Sequence, residues 1–212
     1  MTTASTTPLA EPRPMPQALP PALHVHDASD TRRPQVEAFI QAVYHQRYGA
    51  RVHHFTPTLV ALWEGDQITA AAGYRFGQAG PLFLERYLPA PAEHLLAPHS
   101  GTPPERARIV EVGHLAAGRA GDGRRLVLML ADHLLARGGE WVVSTLTAEL
   151  RQLFVRIGIA PLTLGAADPA LLGEAAADWG SYYDHAPVVL AGHLPRAMRH
   201  IARYSAATGV PA

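Results

Sequence analysis

The sequence contains no cysteine, which excludes disulfides, thiolate nucleophiles and Cys-ligated metal or iron–sulfur centres. It contains no lysine either: all 18 basic residues are arginine. A Schiff-base lysine, and with it lysine-anchored pyridoxal phosphate, is therefore excluded. So is a Walker A loop, which needs Gly-Lys-Ser/Thr. Formal net charge is zero, so no overall field draws the chain to nucleic acid or an anionic membrane. Any anionic ligand must be held by a local basic cluster. No apolar run approaches the length of about 18 residues that would span a bilayer. Residues 1–22 are crowded with Pro8, Pro12, Pro14, Pro16, Pro20 and Pro21 and lack the apolar stretch of a signal peptide. They read as a disordered tail, and a cytoplasmic protein is the expectation.

The remaining length suits one domain, expected over residues 23–194 and followed by a C-terminal helix and tail over 195–212. His24 to Asp27 suggests a first strand. Val36, Phe39, Ile40, Val43 and Tyr44 then recur at helical spacing, which predicts a helix from Arg33 to Tyr48. Pro34 suits its first turn and Gly49 its end. Thr58–Trp63 and Ile68–Tyr74 read as strands joined by the turn Glu64-Gly-Asp-Gln67. Pro81–Leu88 reads as a further short strand or extended piece, and Pro91–Leu96 as a helix. Arg108–Ala117 is a strand, Gly118–Gly123 a glycine loop, and Arg124–Arg137 a helix closed by Gly138-Gly139. Strand Trp141–Leu146, helix Ala148–Ile157, two short strands near 162–164 and 187–190 and a helix over 195–206 complete the chain. The class is α/β (α+β), with a mixed central sheet flanked by helices.

Gly118-Arg-Ala-Gly-Asp-Gly-Arg-Arg125 joins a strand to a helix. Such a turn presents unpaired N–H groups at the positive end of the helix dipole, a site suited to a pyrophosphate. Arg119, Arg124 and Arg125 add charge-assisted bonds. The plain alternative is a tight β–α connection with solvated arginines. A dinucleotide fold competes, but its loop follows an early strand and an acidic ribose ligand follows about 20 residues later. Here the loop lies mid-chain, and Trp141-Val-Val-Ser-Thr ends without an acid.

This order, with Gly118-x-x-Gly121-x-Gly123 after the strand, resembles the GNAT acyltransferase superfamily and its Gln/Arg-x-x-Gly-x-Gly/Ala signature. Glycine stands first where Gln or Arg is usual. Phe154-Val-Arg-Ile-Gly-Ile159 is similar to a later Phe-x-x-x-Gly-Phe segment of that superfamily. Residues 81–88, Pro104 and Ile109-Val-Glu-Val-Gly-His-Leu115 look like the layout of acyl-homoserine lactone synthases, with Gly113-His114 replacing Ser-Arg. A narrower resemblance is to the thermostable hemolysin family, through Phe-Leu-Glu-x-Tyr-Leu at 83–88, Ile-Val-Glu-Val-Gly-x-Leu-Ala at 109–116 and Asp-Trp-Gly-x-Tyr-Tyr at 178–183.

The resemblance implies a GNAT-like fold and an acyl thioester donor, either acyl-CoA or the phosphopantetheine of an acyl carrier protein. It implies a donor site at Leu115, Ala116, Gly118, Arg119, Gly121, Asp122, Gly123, Arg124, Arg125 and Phe154. The expected reaction is direct transfer of the acyl group to an amine of a small-molecule acceptor, since no cysteine and no evident Ser–His pair offers a covalent route. Glu111 is either a general base or a structural salt bridge. His114 is an alternate base, provided that a bulge at Gly113 turns it to the face of Glu111. Tyr183 or Tyr182 either protonates the leaving thiolate or closes an aromatic corner. Glu85 and Tyr87 are expected to line the acceptor side. His24-x-His26 and His53-His54 lack a third ligand, so no metal is expected. Two other readings stay open: a membrane-active lytic protein, and a domain of this fold that binds ligand without turnover. Monomer and homodimer are both open.

Overall fold

The computed structural model describes residues 22–208. The proline-rich tail lies outside the described residues except for Ala22, which opens strand β1 (Ala22–His26). Helix α1 (Arg33–Tyr48) has the predicted bounds: proline stands in its first turn, and Gly49, at φ 65°, closes it by donating its N–H to the His45 carbonyl. The hairpin of β2 (Thr58–Glu64) and β3 (Gln67–Phe76) also stands where predicted. Helix α2 (Ala92–Ser100), strand β4 (Ile109–Ala117), helix α3 (Asp122–Ala136) and strand β5 (Trp141–Leu146) follow. Helix α4 (Ala148–Arg156), strands β6 (Leu162–Ala166) and β7 (Val188–His193) and helix α5 (Leu194–Thr208) end the fold.

The strands form one seven-stranded sheet in the order β1-β2-β3-β4-β5-β7-β6. All neighbours are antiparallel except β4 and β5. The period-2 alternation divides the core between two faces. Leu59, Ala61 and Ala71 pack on the α1 face beside Val36, Ile40 and Tyr44. Val60, Leu62, Ala70 and Ala72 pack on the α3 face beside Leu126, Leu130 and Leu134. A third cluster joins α2 to β5 and β7 through Leu96, Trp141, Val143 and Val189.

Strands β4 and β5 pair only from Ile109 to Glu111 against Trp141 to Val143. Beyond that point they part, and the Ser144 hydroxyl donates to the Val112 carbonyl at 2.7 Å across the start of the fork. The register of β3 against β4 shifts in the same stretch: Gly73 faces Gly113, but Ala71 faces Ala116. The extra residue is His114, in the left-handed region at φ 54°. The bulge that would bring His114 to the side of Glu111 is therefore present, centred one residue later than expected.

Residues 81–88 are not a strand. Phe83–Tyr87 is a 3-10 turn, because its leading N–H groups go to carboxylates rather than to a neighbouring strand. Leu82 donates to Glu85 Oε2 at 2.7 Å, and Phe83 and Leu84 each donate to the Glu111 carboxylate at 2.9 Å. Further 3-10 segments at Pro169–Trp179 and Tyr182–His185 precede β7.

Candidate active site

Two cavities lie beside the fork, one on each face of the sheet, with Val112 lining both. On the α1 face lies a polar cavity of about 780 Å³, within the range of small-ligand sites. Its walls include Phe83, Glu85, Tyr87, Glu111, Trp179 and Tyr183. The three motif segments, at 83–88, 109–116 and 178–183, thus converge on one space. On the α3 face lies a narrow slot of about 70 Å³ between α3, α4 and α5, lined by aliphatic residues with Phe154 and Ser144.

Glu111 is buried on the polar side. Its carboxylate accepts from Arg75 Nε at 2.8 Å as well as from the N–H groups of Phe83 and Leu84. Three of its roughly four acceptor positions are thus committed. Glu111 clasps the 3-10 turn to the sheet and keeps about one acceptor position uncommitted. Glu85 repeats the device. It accepts from Leu82 and Ala92 N–H and from Arg106. Burial pushes its carboxyl upward, but these bonds outweigh burial and hold it below the usual glutamate range.

His114 reaches the face of Glu111 with one ring nitrogen committed. Its Nε2–H donates to the His54 carbonyl at 3.1 Å, which leaves Nδ1 as the acceptor. Nδ1 is buried without a partner among the described residues. It also lies where a side chain on Gly73 would meet it. Burial lowers the imidazole pKa to about 4, so the ring is neutral near pH 7. The ring is thus neutral, lines the cavity and packs beside Gly73 of the sheet.

The Tyr183 and Tyr87 hydroxyls lie 2.6 Å apart, and burial first raises the pKa of each. Two protonated phenols share one hydrogen bond, which leaves one O–H for another acceptor. Tyr182 is instead fixed, donating to the Thr145 carbonyl at 3.1 Å. Trp179 and Tyr182 pack against Tyr44 of α1. The distal motif thus forms an aromatic corner, with the Tyr183 phenol lining the cavity.

A pairing across the chain was not foreseen. Asp178 accepts from Arg51 at 3.2 Å and lies 3.7 Å from His53 Nε2, and all three line the polar cavity. The contact spans about 125 residues of sequence and follows from backbone docking: Arg51 N–H donates to the Asp178 carbonyl and Ser181 N–H to the Tyr48 carbonyl. Gly180, at φ 53°, lies so close to the Tyr48 carbonyl that any Cβ would collide with it. Only the Asp-Trp-Gly signal in the sequence hinted at this docking.

On the donor side, Gly118 donates its N–H to Thr69 at 2.9 Å, and α3 begins after Gly121 at φ 94°. Gly123 brings the helix start close to Ala117 and Leu153. Leu115 and Phe154 line the slot, whereas Ala116 is buried toward α1. Arg119 and Arg125 lie 3.6 and 3.7 Å from the two oxygens of Glu64. Asp122 is buried in the first helical turn, its Oδ2 without a partner among the described residues. Two acids, Glu64 and Asp122, thus stand beside the loop. No group of three or more His, Asp or Glu poised around one point occurs among the described residues.

A mixed sheet that forks between β4 and β5, with a glycine turn leading from β4 into α3, is the GNAT-like acyltransferase fold. The chain belongs to the thermostable hemolysin family, which it matches over residues 26–198. No curated protein matches the sequence. Among solved structures it is similar to FeeM, an N-acyl amino acid synthase from uncultured soil microbes (TM-score 0.58, 14% identity, 87% of this chain and 97% of that one). It is also similar to the acyl-homoserine lactone synthase LasI (0.56, 16%, 82% and 91%). A third likeness is to an N-acetyltransferase of Lactobacillus plantarum, described as putative (0.51, 16%, 82% and 99%). At these identities the likeness is one of fold. None of the described helices is long and apolar enough to cross a membrane.

Proposed function

We propose that the protein is an N-acyltransferase that moves an acyl group from a thioester, acyl-CoA or the phosphopantetheine of an acyl carrier protein, to the amine of a small molecule. The observation that carries this reading is the pair of unlike cavities on the two sides of the fork, with Val112 lining both. A thioester lying in the fork has its carbonyl beside the polar cavity and room for its chain in the apolar slot. The loop from Gly118 to Arg125 suits the diphosphate or phosphate.

The acceptor amine enters the polar cavity and attacks the thioester carbonyl carbon. A C–N bond forms and the C–S bond breaks in a ternary complex. The free O–H of the Tyr87–Tyr183 pair protonates the departing thiolate. The nitrogen sheds its proton to His53, whose ring is oriented by Asp178. Glu111 acts by holding the wall formed by Phe83–Tyr87.

Thiol release from a series of acyl-CoA donors, with pools of small amines, tests the activity; no release with any donor overturns it. Gly192 sharpens the test, because it lines the slot and its Cβ would meet nothing within 4 Å. Gly192→Leu fills that space and shifts preference toward shorter acyl chains by about tenfold per lost pair of methylenes. An unchanged chain-length profile removes the slot from the acyl site. The reading of a domain that binds without turnover has Gly118 and the Glu64 pairing in its favour. It predicts donor binding by calorimetry with no thiol release.

A further inference from the structure

The chain is neutral overall, yet one end of the molecule concentrates arginine. Arg151 and Arg156 stand on α4, and Arg196, Arg199 and Arg203 on α5. The two helices adjoin there, since a side chain on Gly158 would touch His200. None of these five arginines has an acidic partner within 4 Å among the described residues. The acid in the first turn of α4, Glu149, is taken by Arg47 at 3.7 Å and His185 at 3.3 Å. Arg196, Arg199 and Arg203 fall on the exposed side of α5 at helical spacing, whereas Leu194, Ala197, Met198 and Ile201 turn to the slot.

The same end carries apolar surface. Val155, between Arg151 and Arg156, is 67% exposed, one of two large aliphatic side chains so exposed among the described residues. Phe154, Ile159 and Met198 beside it are half-buried and line the slot. An acidic protein surface answers the arginines and leaves Val155 in contact with charge. An anionic bilayer answers both, with phosphates for the guanidiniums and hydrocarbon for Val155.

We infer that the α4–α5 end is a peripheral docking surface for membranes rich in anionic phospholipid, with the apolar slot opening toward the lipid. The inference stands on surface chemistry and is independent of acyl transfer. Each arginine near an anionic surface contributes attraction that salt screens, and Val155 contributes shallow apolar insertion that salt leaves in place.

The test is sedimentation of the full chain with phosphatidylcholine vesicles, with and without phosphatidylglycerol. The expected result is partitioning at least about tenfold stronger onto the anionic vesicles, falling steeply as salt rises. Replacing Arg196, Arg199 and Arg203 together with Glu removes the preference. Val155→Ser weakens binding several-fold with the same salt dependence. Both variants change exposed positions, and a circular-dichroism melt like that of the unchanged protein verifies their folding. Equal partitioning onto the two vesicle types overturns the inference. So does wild-type vesicle binding by Val155→Ser, or binding to an acidic carrier protein with none to vesicles.

Discussion

The two faces of the fork are held together differently. On the polar face, position is set by hydrogen bonds: Glu111 and Glu85 hold the 3-10 turn, Tyr182 holds Thr145, and Gly180 lies flush on Tyr48. On the apolar face, position is set by close packing of Leu126, Leu130 and Leu134 against Val110 and Val112, with a narrow slot left open. A face built from directed bonds has one geometry and is costly to disturb, because a lost partner leaves a buried polar group behind. A face built from aliphatic packing tolerates repacking and adapts to chains of different length. Under the proposed activity, the first face suits recognition of an acceptor and the second accommodation of an acyl chain.

The largest expected effect breaks the polar face at its backbone. Gly180→Ala adds a Cβ against the Tyr48 carbonyl at a backbone conformation that alanine adopts poorly. The expected cost is about 3–5 kcal/mol, read as a lowered midpoint in urea or heat. A stable alanine variant means that the docking of the Asp-Trp-Gly turn onto α1 is looser than described. Next comes Glu111→Gln, which keeps the shape but turns one acceptor into a donor that faces Arg75 and the N–H groups of Phe83 and Leu84. We expect a loss of about 2–3 kcal/mol, with any activity falling in proportion to folded protein. The base reading predicts instead an intact melting temperature and a transfer rate lowered by about 10²–10⁴, partly restored at high pH.

These outcomes bear on what the sequence could reveal. Local signals were reliable: α1 ends where Gly49 follows Tyr48, β5 spans Trp141 to Leu146, and β4 and β5 are parallel and fork beside the start of α3. The segment 81–88 reads from sequence as a short strand or extended piece. Its true state depends on Glu111, about 27 residues onward, taking the N–H groups that a strand would have paired. The same limit hid Asp178 beside Arg51 and His53, since no periodicity records a contact between distant loops. His114 was harder still. Its spacing from Glu111 gave the side of the sheet once a bulge was allowed, but the direction of its lone pair is set by the His54 carbonyl and by the space at Gly73.

Acid sharpens the comparison more gently. Burial keeps His114 neutral in the fold, with a pKa of about 4, and lowers those of His26 and His133. The unfolded imidazole titrates near 6.5, so between these values the unfolded chain binds more protons. The stability tied to His114 is therefore complete above about pH 6.5 and is lost progressively as pH falls toward 4. Glu85, held below its ordinary value, adds a loss only under more acidic conditions. Melting temperature against pH should fall across the histidine window before the carboxylate window, and His114→Gln should flatten the first part. A flat profile from pH 7 to pH 5 contradicts the neutral ring.

The smallest expected effect concerns the glycine loop between β4 and α3. Glu64 draws Arg119 and Arg125 toward the β2–β3 hairpin at 3.6 and 3.7 Å, and all three side chains are well exposed. Exposed pairs of this kind contribute about 0–1 kcal/mol, so Glu64→Gln should leave stability unchanged to within about 0.5 kcal/mol. Both arginines are then released toward an incoming diphosphate, and donor affinity by calorimetry should rise about two- to fivefold at low salt. The gain should shrink as ionic strength increases, because the competing charges lie in water. Replacing Arg119 and Arg125 with Ala should move affinity the other way and abolish the response to Glu64. If affinity for CoA is the same in all of these proteins, the arginines are solvated side chains of an ordinary β–α turn. Donor recognition then falls to the loop amides and the slot alone.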